Sequence, residues 1–223
     1  MNGISKAMAI ASKDILLELR TREVVFAVLV FTILVMVIFN FAFDLKQEVT
    51  SSLAAGMLWV TFTFAGVLSF NRSFVTEKEE GCLEGMMTCP VPRESIYLGK
   101  AVSSLLFILS VEAVTLGIFT IFFNINVFTL PLVTVTILAT IGFTSVGTLF
   151  SALAVNTKAR EMVLPILFLP IITPVIIAAV KAFGVLLDGG SWADISSWFM
   201  ILGAFDVIFL VVSYLVFEYV IEE

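Results

Sequence analysis

Six stretches of this chain carry no charged residue, or a single one, over a length that can cross a bilayer. A spanning helix needs about 20 apolar residues to cover a hydrocarbon core of about 30 Å, so the distance between charges works as a ruler. The first stretch runs from Val24 to Phe43 and the second from Val49 to Asn71. The third, Ala101 to Phe123, is interrupted only by Glu112, and the fourth occupies most of the uncharged run from Val127 to Thr157, long enough to require tilt or a kink. The fifth, Met162 to Val180, carries Pro165, Pro170 and Pro174, and the sixth, Ile195 to Phe217, carries Asp206. The runs are continuously apolar rather than alternating, which indicates helices and not barrel strands. With 60% hydrophobic and 13% charged residues, the composition is too apolar for a soluble chain of 223 residues. The expected fold is therefore an all-α integral membrane protein, a single transmembrane domain over residues 1–223 with six transmembrane helices.

Orientation follows from the basic residues, which are retained on the cytoplasmic side. Residues 1–23 hold Lys6, Lys13, Arg20 and Arg22; the 72–100 connection holds Arg72, Lys78, Arg93 and Lys100; Lys158 and Arg160 sit in the 156–161 connection. The opposite side has only Lys46 and Lys181, so both termini are expected in the cytoplasm. The N-terminal 23 residues do not read as a cleavable signal, since a full span follows them. Cys82 and Cys89 fall in the same cytoplasmic loop, where a disulfide would not persist, and read as free structural thiols. A net charge of −6 and basic residues scattered over three short segments speak against nucleic-acid binding.

Two segments outside the spans have a pattern of their own. Over residues 4–22, Ile4, Met8, Ala11, Ile15 and Leu19 follow a helical period while Lys6, Lys13 and Arg20 recur every seventh position, as in an amphipathic helix lying on the cytoplasmic membrane surface. A plain extension of the first span is the other reading. In the 72–100 loop, Thr76 and Glu79 have capping-box spacing, so a short helix is expected to begin at Glu77 and stop before Pro90, with Gly81 weakening it. Leu83, Met86 and Met87 would form an apolar ridge on it and Glu77, Glu80 and Glu84 an acidic stripe, a surface fit either to dock a cytoplasmic partner or to pack on the chain's own helix ends. The 181–194 connection, with Ala182 to Leu187 apolar and Trp192 and Trp198 at headgroup level, reads as a re-entrant or interfacial element on the outer side.

Catalytic apparatus is missing from the sequence. There is no G-x-x-x-x-G-K-[ST], no G-x-S-x-G and no histidine at all, which removes P-loop nucleotide binding, His-containing triads and H-E-x-x-H metal sites. Work against a gradient would draw on a partner or on ion coupling. Glu112 and Asp206 are the two acids at membrane depth; each is costly there unless protonated, hydrogen-bonded or wet, and each is either a polar point on a substrate or proton pathway or a neutral packing group. Pro165, Pro170 and Pro174 interrupt the hydrogen-bond ladder of the fifth span, so a broken helix is expected there. Thr144, Gly147, Thr148, Ser151 and Ala152 form rows of small residues suited to close helix contact.

The stretch Glu79-Glu80-Gly81-Cys82-Leu83-Glu84, then Pro90-Val91-Pro92 and Leu98-Gly99-Lys100-Ala101, with Leu169-Pro170-Ile171-Ile172-Thr173-Pro174 in the fifth span, resembles the CcmB family, the haem exporter B proteins of cytochrome c maturation, which are ABC-2-type permeases. The resemblance covers nearly the whole chain. It implies a six-helix half-transporter without catalysis of its own, which leaves room for a second permease copy. ATP acts through a separate ABC ATPase, the A component, docked on the loop that here spans Thr76 to Thr88. It further implies a haem-handling membrane protein, the C component, and a haem chaperone as partners in the bacterial inner membrane, with haem as cargo and no stably bound cofactor. Open alternatives are a permease for a lipid, drug or polysaccharide, a proton-coupled secondary transporter, and an assembly scaffold.

Overall fold

A computed structural model describes residues 3–21, 23–42, 51–79, 82, 85, 88–89, 91–155, 157 and 160–222. Among them the regular structure is helical: α1 (Gly3–Thr21), α2 (Glu23–Ala42), α3 (Ser51–Glu79), α4 (Arg93–Phe123), α5 (Leu130–Val155), α6 (Arg160–Leu187) and α7 (Ser196–Glu222). The last six are each long and apolar enough to cross a membrane, so the chain is a multi-pass membrane protein with α1 as an additional, amphipathic helix. The helices α3 and α5 form the centre, with 72% of their apolar windows buried, while α2 and α7, at 17%, turn most of their surface outward. That surface is apolar, as Phe26, Ile38, Val207 and Leu215 illustrate, and suits lipid rather than water.

The centre is held by reciprocal seating of aromatic rings on glycine. The ring of Phe143 on α5 lies on Gly66 of α3, and the ring of Phe70 on α3 lies on Gly147 of α5, so a Cβ at either glycine would enter the opposing ring. Phe70 and Phe143 stand 5.6 Å apart, and Phe168 of α6 completes the cluster at 5.8 and 4.8 Å from them. Aromatic pairs of this kind contribute about 0.5–1.5 kcal/mol each beyond their buried area. Ser151 also donates to the Phe70 carbonyl at 2.6 Å. The small-residue rows of the fourth span thus pack as their sequence suggests.

Three expectations need correction. The fifth span is not broken: α6 runs as one α-helix from Arg160 to Leu187 through Pro165, Pro170 and Pro174. Pro170 and Pro174 lie on its exposed side, whereas Leu164, Phe168, Ile172, Val175, Ala179 and Phe183 are buried on the other. The missing amide bonds therefore fall away from the packed face, and packing keeps the helix continuous. Ala182 to Leu187 is no re-entrant element but the last turns of the same helix, because exposed Lys181 can extend its ammonium outward without ending the span. The helix ends at Leu187, and Gly189 just beyond it has a φ of +84°, which suits a residue past a helix C-terminus. Finally, Thr76 is not a helix N-cap, since α3 continues without a break from the second span through Thr76 to Glu79.

Candidate functional site

One end of the bundle gathers the start of α4, the end of α5, the end of α7 and α1. Ile96, Tyr97, Ala101, Leu149, Val155 and Phe217 form a core there, with Ile10 of α1 packed against it. The fully buried Tyr97 hydroxyl donates to the Ser145 carbonyl of α5 at 3.2 Å, and its ring stands 5.3 Å from that of Phe217 on α7. Both ends of the described chain lie at this end, as the distribution of basic residues requires for cytoplasmic termini.

At 31 residues, about 46 Å at 1.5 Å per residue, α4 is longer than the hydrocarbon core, and its first turns are where α1 lies. Ala7 and Ala11 of α1 are buried, and Gly99 of α4 leaves space for the Ala7 carbonyl and the Ile10 side chain. A buried ion pair fixes the register: Lys100 Nζ on α4 lies 3.0 Å from Asp14 Oδ2 on α1, with side-chain exposures of 3% and 13%. The Ser103 hydroxyl donates to the Lys100 carbonyl at 2.9 Å and lies 3.3 Å from the same Asp14 oxygen, and Lys13 sits 3.1 Å from Asp14 Oδ1. Ile4 and Met8 remain exposed beside this contact, on a different side of α1 from Lys6 and Lys13 by helical spacing. That arrangement fits an interfacial helix clamped along one flank to a spanning helix.

The two intramembrane acids sit at one level, each about 15 Å from the outer end of its helix by residue count. Glu112 on α4 is 4% exposed, and its Oε2 lies 2.7 Å from the Thr140 hydroxyl of α5. It also borders a small cleft between α2, α3 and α4 whose other lining is apolar, including Val28, Phe62, Ala65, Phe107, Ile108 and Val111. Asp206 on α7 is 5% exposed and abuts Gly142 of α5, where a Cβ would collide with Oδ1. Among the described residues its carboxyl oxygens have no hydrogen-bond partner of good geometry. Thr140 and Gly142 are two positions apart, about 200° around α5 at 100° per residue, so the acids flank α5 on opposite faces and form no dyad. Below them Thr144, Ser145, Thr148 and Ser151 continue a buried hydroxyl stripe along α5.

Of the expected loop residues, Glu77 and Glu79 belong to the backbone of α3, and Glu80, Gly81, Leu83, Glu84, Met86 and Met87 lie outside the described residues. Cys82, Gly85 and Thr88 are helical, and Cys82 and Cys89 are exposed. No group of three or more His, Cys, Asp or Glu is placed to hold a metal among the described residues. Sequence reasoning missed Asp14, Gly99 as a seat for α1, and Tyr97. A signal was present in Asp14, an acid within one turn of Ala11 and Ile15 on a helix of mixed charge, and in Lys100, which opens an apolar span.

Comparison with known proteins adds identity to this geometry. The family described as CcmB protein matches residues 5–222. The chain is 26% identical over 206 residues to heme exporter protein B of Bradyrhizobium diazoefficiens, covering 92% of each. It is also 26% identical over 170 residues to heme exporter protein B of Rhodobacter capsulatus, covering 76% of this chain and 78% of the relative. Heme exporter protein B of Pseudomonas aeruginosa is 26% identical over 162 residues, covering 72% and 73%. The match takes in nearly all of α1 and all six spanning helices, and on it the chain belongs to the CcmB protein family.

Proposed function

We propose that this chain is the membrane-spanning permease subunit of an ATP-driven haem export machine in the bacterial inner membrane, serving cytochrome c-type biogenesis. The observation that carries the reading is the family match from residue 5 to residue 222, joined to relatives named for haem export. Those names favour haem over another amphipathic cargo. The sequence has no P-loop, so hydrolysis belongs to a separate ATPase, the A component. A haem-handling membrane protein, the C component, and a haem chaperone act beside it. ATP hydrolysis either moves haem or releases the loaded chaperone.

The ATPase docks on the segment from Thr76 to Thr88. Helix α3 carries the central packing of the bundle at Gly66 and Phe70 and continues past its apolar window to Glu79, which makes it a stiff lever between a docked partner and the core. The clamp between α1 and α4 ties the surface helix to the span that follows the same loop. Glu112 and Asp206 supply the polar points of the interior, one on each side of α5.

The test is purification of the tagged chain from native membranes, with co-purifying chains identified by mass spectrometry and haem absorbance recorded. An ATPase with a P-loop and a haem signal are expected; a chain eluting with neither contradicts the proposal. Leu83→Asp should abolish ATPase recovery at any salt, because a carboxylate in an apolar groove is desolvated without a partner. Glu80→Lys with Glu84→Lys should weaken recovery in a salt-sensitive way. Survival of recovery in both variants removes the loop from the coupling role.

A further inference from the structure

The hydroxyl oxygen of Thr140 lies 2.7 Å from Glu112 Oε2 and also 2.7 Å from the Thr136 carbonyl oxygen. A threonine hydroxyl owns one hydrogen, and a carbonyl can only accept. The Thr136 contact therefore takes that hydrogen, as threonines within helices commonly donate to the carbonyl four residues back. The equally short Glu112 contact needs its hydrogen from the carboxyl group itself. A carboxylate in that position would set two acceptor oxygens against each other beside a cleft whose other lining is apolar.

Among the described residues no cation approaches to change this. The spans of α2 (Val25–Ala42) and α5 (Leu130–Val155), and α3 over Ser51–Asn71, contain no titratable side chain. On α4 itself, Arg93, Glu94, Tyr97 and Lys100 lie in the cytoplasmic turns, where α1 brings Lys13 and Asp14. On α7, Asp206 is on the far side of α5, and Tyr214, Glu218 and Tyr219 lie towards the cytoplasmic end. From this geometry we propose that Glu112 is a proton-binding site inside the membrane, its carboxyl group donating to Thr140 and bordering the apolar cleft between α2, α3 and α4. The ligand is a proton, and the site is separate from any ATPase contact and independent of which cargo the permease moves.

Dicyclohexylcarbodiimide tests this directly, because it enters apolar phases and reacts with protonated carboxyl groups. The carboxyl proton passes to a carbodiimide nitrogen while the carboxyl oxygen bonds to the central carbon, and the acylisourea rearranges to a stable acylurea. Membranes holding the full chain, treated over a pH series and mapped by mass spectrometry, should show the adduct at Glu112, with progressive loss as pH rises. A water-soluble carbodiimide should leave Glu112 unmodified. Glu112→Gln should remove the adduct and Asp206→Asn should retain it. Thr140→Val, which deletes the acceptor of the carboxyl proton, should shift the loss of labelling to lower pH, and Thr140→Ser should restore it. Absence of an adduct at Glu112 in the unaltered chain across the series, while exposed carboxyl groups react, overturns the proposal. Equal labelling by the water-soluble reagent overturns it too, since Glu112 would then face an aqueous path.

Discussion

At the cytoplasmic end of the bundle a buried lysine meets its opposite charge, Lys100 against Asp14 at 3.0 Å, whereas at mid-depth Glu112 and Asp206 are buried with no basic side chain facing either among the described residues. The two levels differ in what the surroundings can offer. The early turns of α4 lie beside an amphipathic helix that brings an acid, so two charges neutralise each other and the register of α1 is fixed. The middle offers only hydroxyls and backbone, so a carboxyl group there must hold its proton or find water. A buried ion pair is a positioning device rather than a source of net stability, because desolvation offsets most of its attraction. An isolated acid has no comparable structural use, which makes the mid-depth pair the better candidates for function.

The largest expected effect breaks the first half of that contrast. Asp14→Ala should cost about 3–5 kcal/mol, because it removes the acid that buried Lys100 faces, and Lys100→Ala should cost less, because Lys13 still lies 3.1 Å from Asp14. The readout is thermal unfolding in detergent together with faster proteolysis within α1. Replacing both residues at once, Asp14→Leu with Lys100→Met, should recover most of the loss. If each single change is silent, the clamp does not hold α1.

Gly147→Ala tests whether the centre is as tightly seated as the ends. The added Cβ enters the Phe70 ring, which is itself held by Phe143 and Phe168, so a cost of about 1–3 kcal/mol in thermal stability is expected, with the six spans still inserted. Thr140→Val should cost less, about 1 kcal/mol, by removing one buried hydrogen bond beside Glu112, and Thr140→Ser should be close to neutral. A Thr140→Val loss as large as that of Asp14→Ala would mean that the acid is charged and dependent on the hydroxyl, which erases the contrast.

The smallest effect lies on the outer side. The backbone amide and then the hydroxyl of Ser191 donate to Asp194, at 2.7 and 2.8 Å, and hold its carboxyl below the usual carboxylate range. A depressed folded value means that the contribution is present above the unfolded pKa, about 3.9, and fades as pH falls through the folded value. Lower protection of the Ser191 amide from exchange, relative to an unprotected amide at the same pH, is expected in acid, with constant protection between about pH 5 and 8. The group is fully exposed, so global stability should barely move.

How far the fold was legible in the sequence follows from the same physics. Charge spacing located all six helices because a charge in lipid is costly, and it misplaced ends where a charge had an escape: Lys181 extends outward, and Lys100 is buried against a partner some 86 positions earlier in the chain, a pairing no local pattern reveals. Proline was overread, since its effect depends on which face of α6 it occupies, and the packed face decides that. The small-residue rows were read correctly because close helix approach needs small side chains wherever it occurs. Glu112 and Asp206 stood out as lone acids in apolar runs, yet their placement on opposite faces of α5 depends on three helices meeting.

The most direct test of the central claim is covalent haem attachment to c-type cytochromes in cells lacking this chain. The account predicts that haem-stained c-type cytochromes disappear on deletion and return with the unaltered chain, and that co-expression of the ATPase without this chain does not restore them. Undiminished haem attachment in the deletion strain would contradict it.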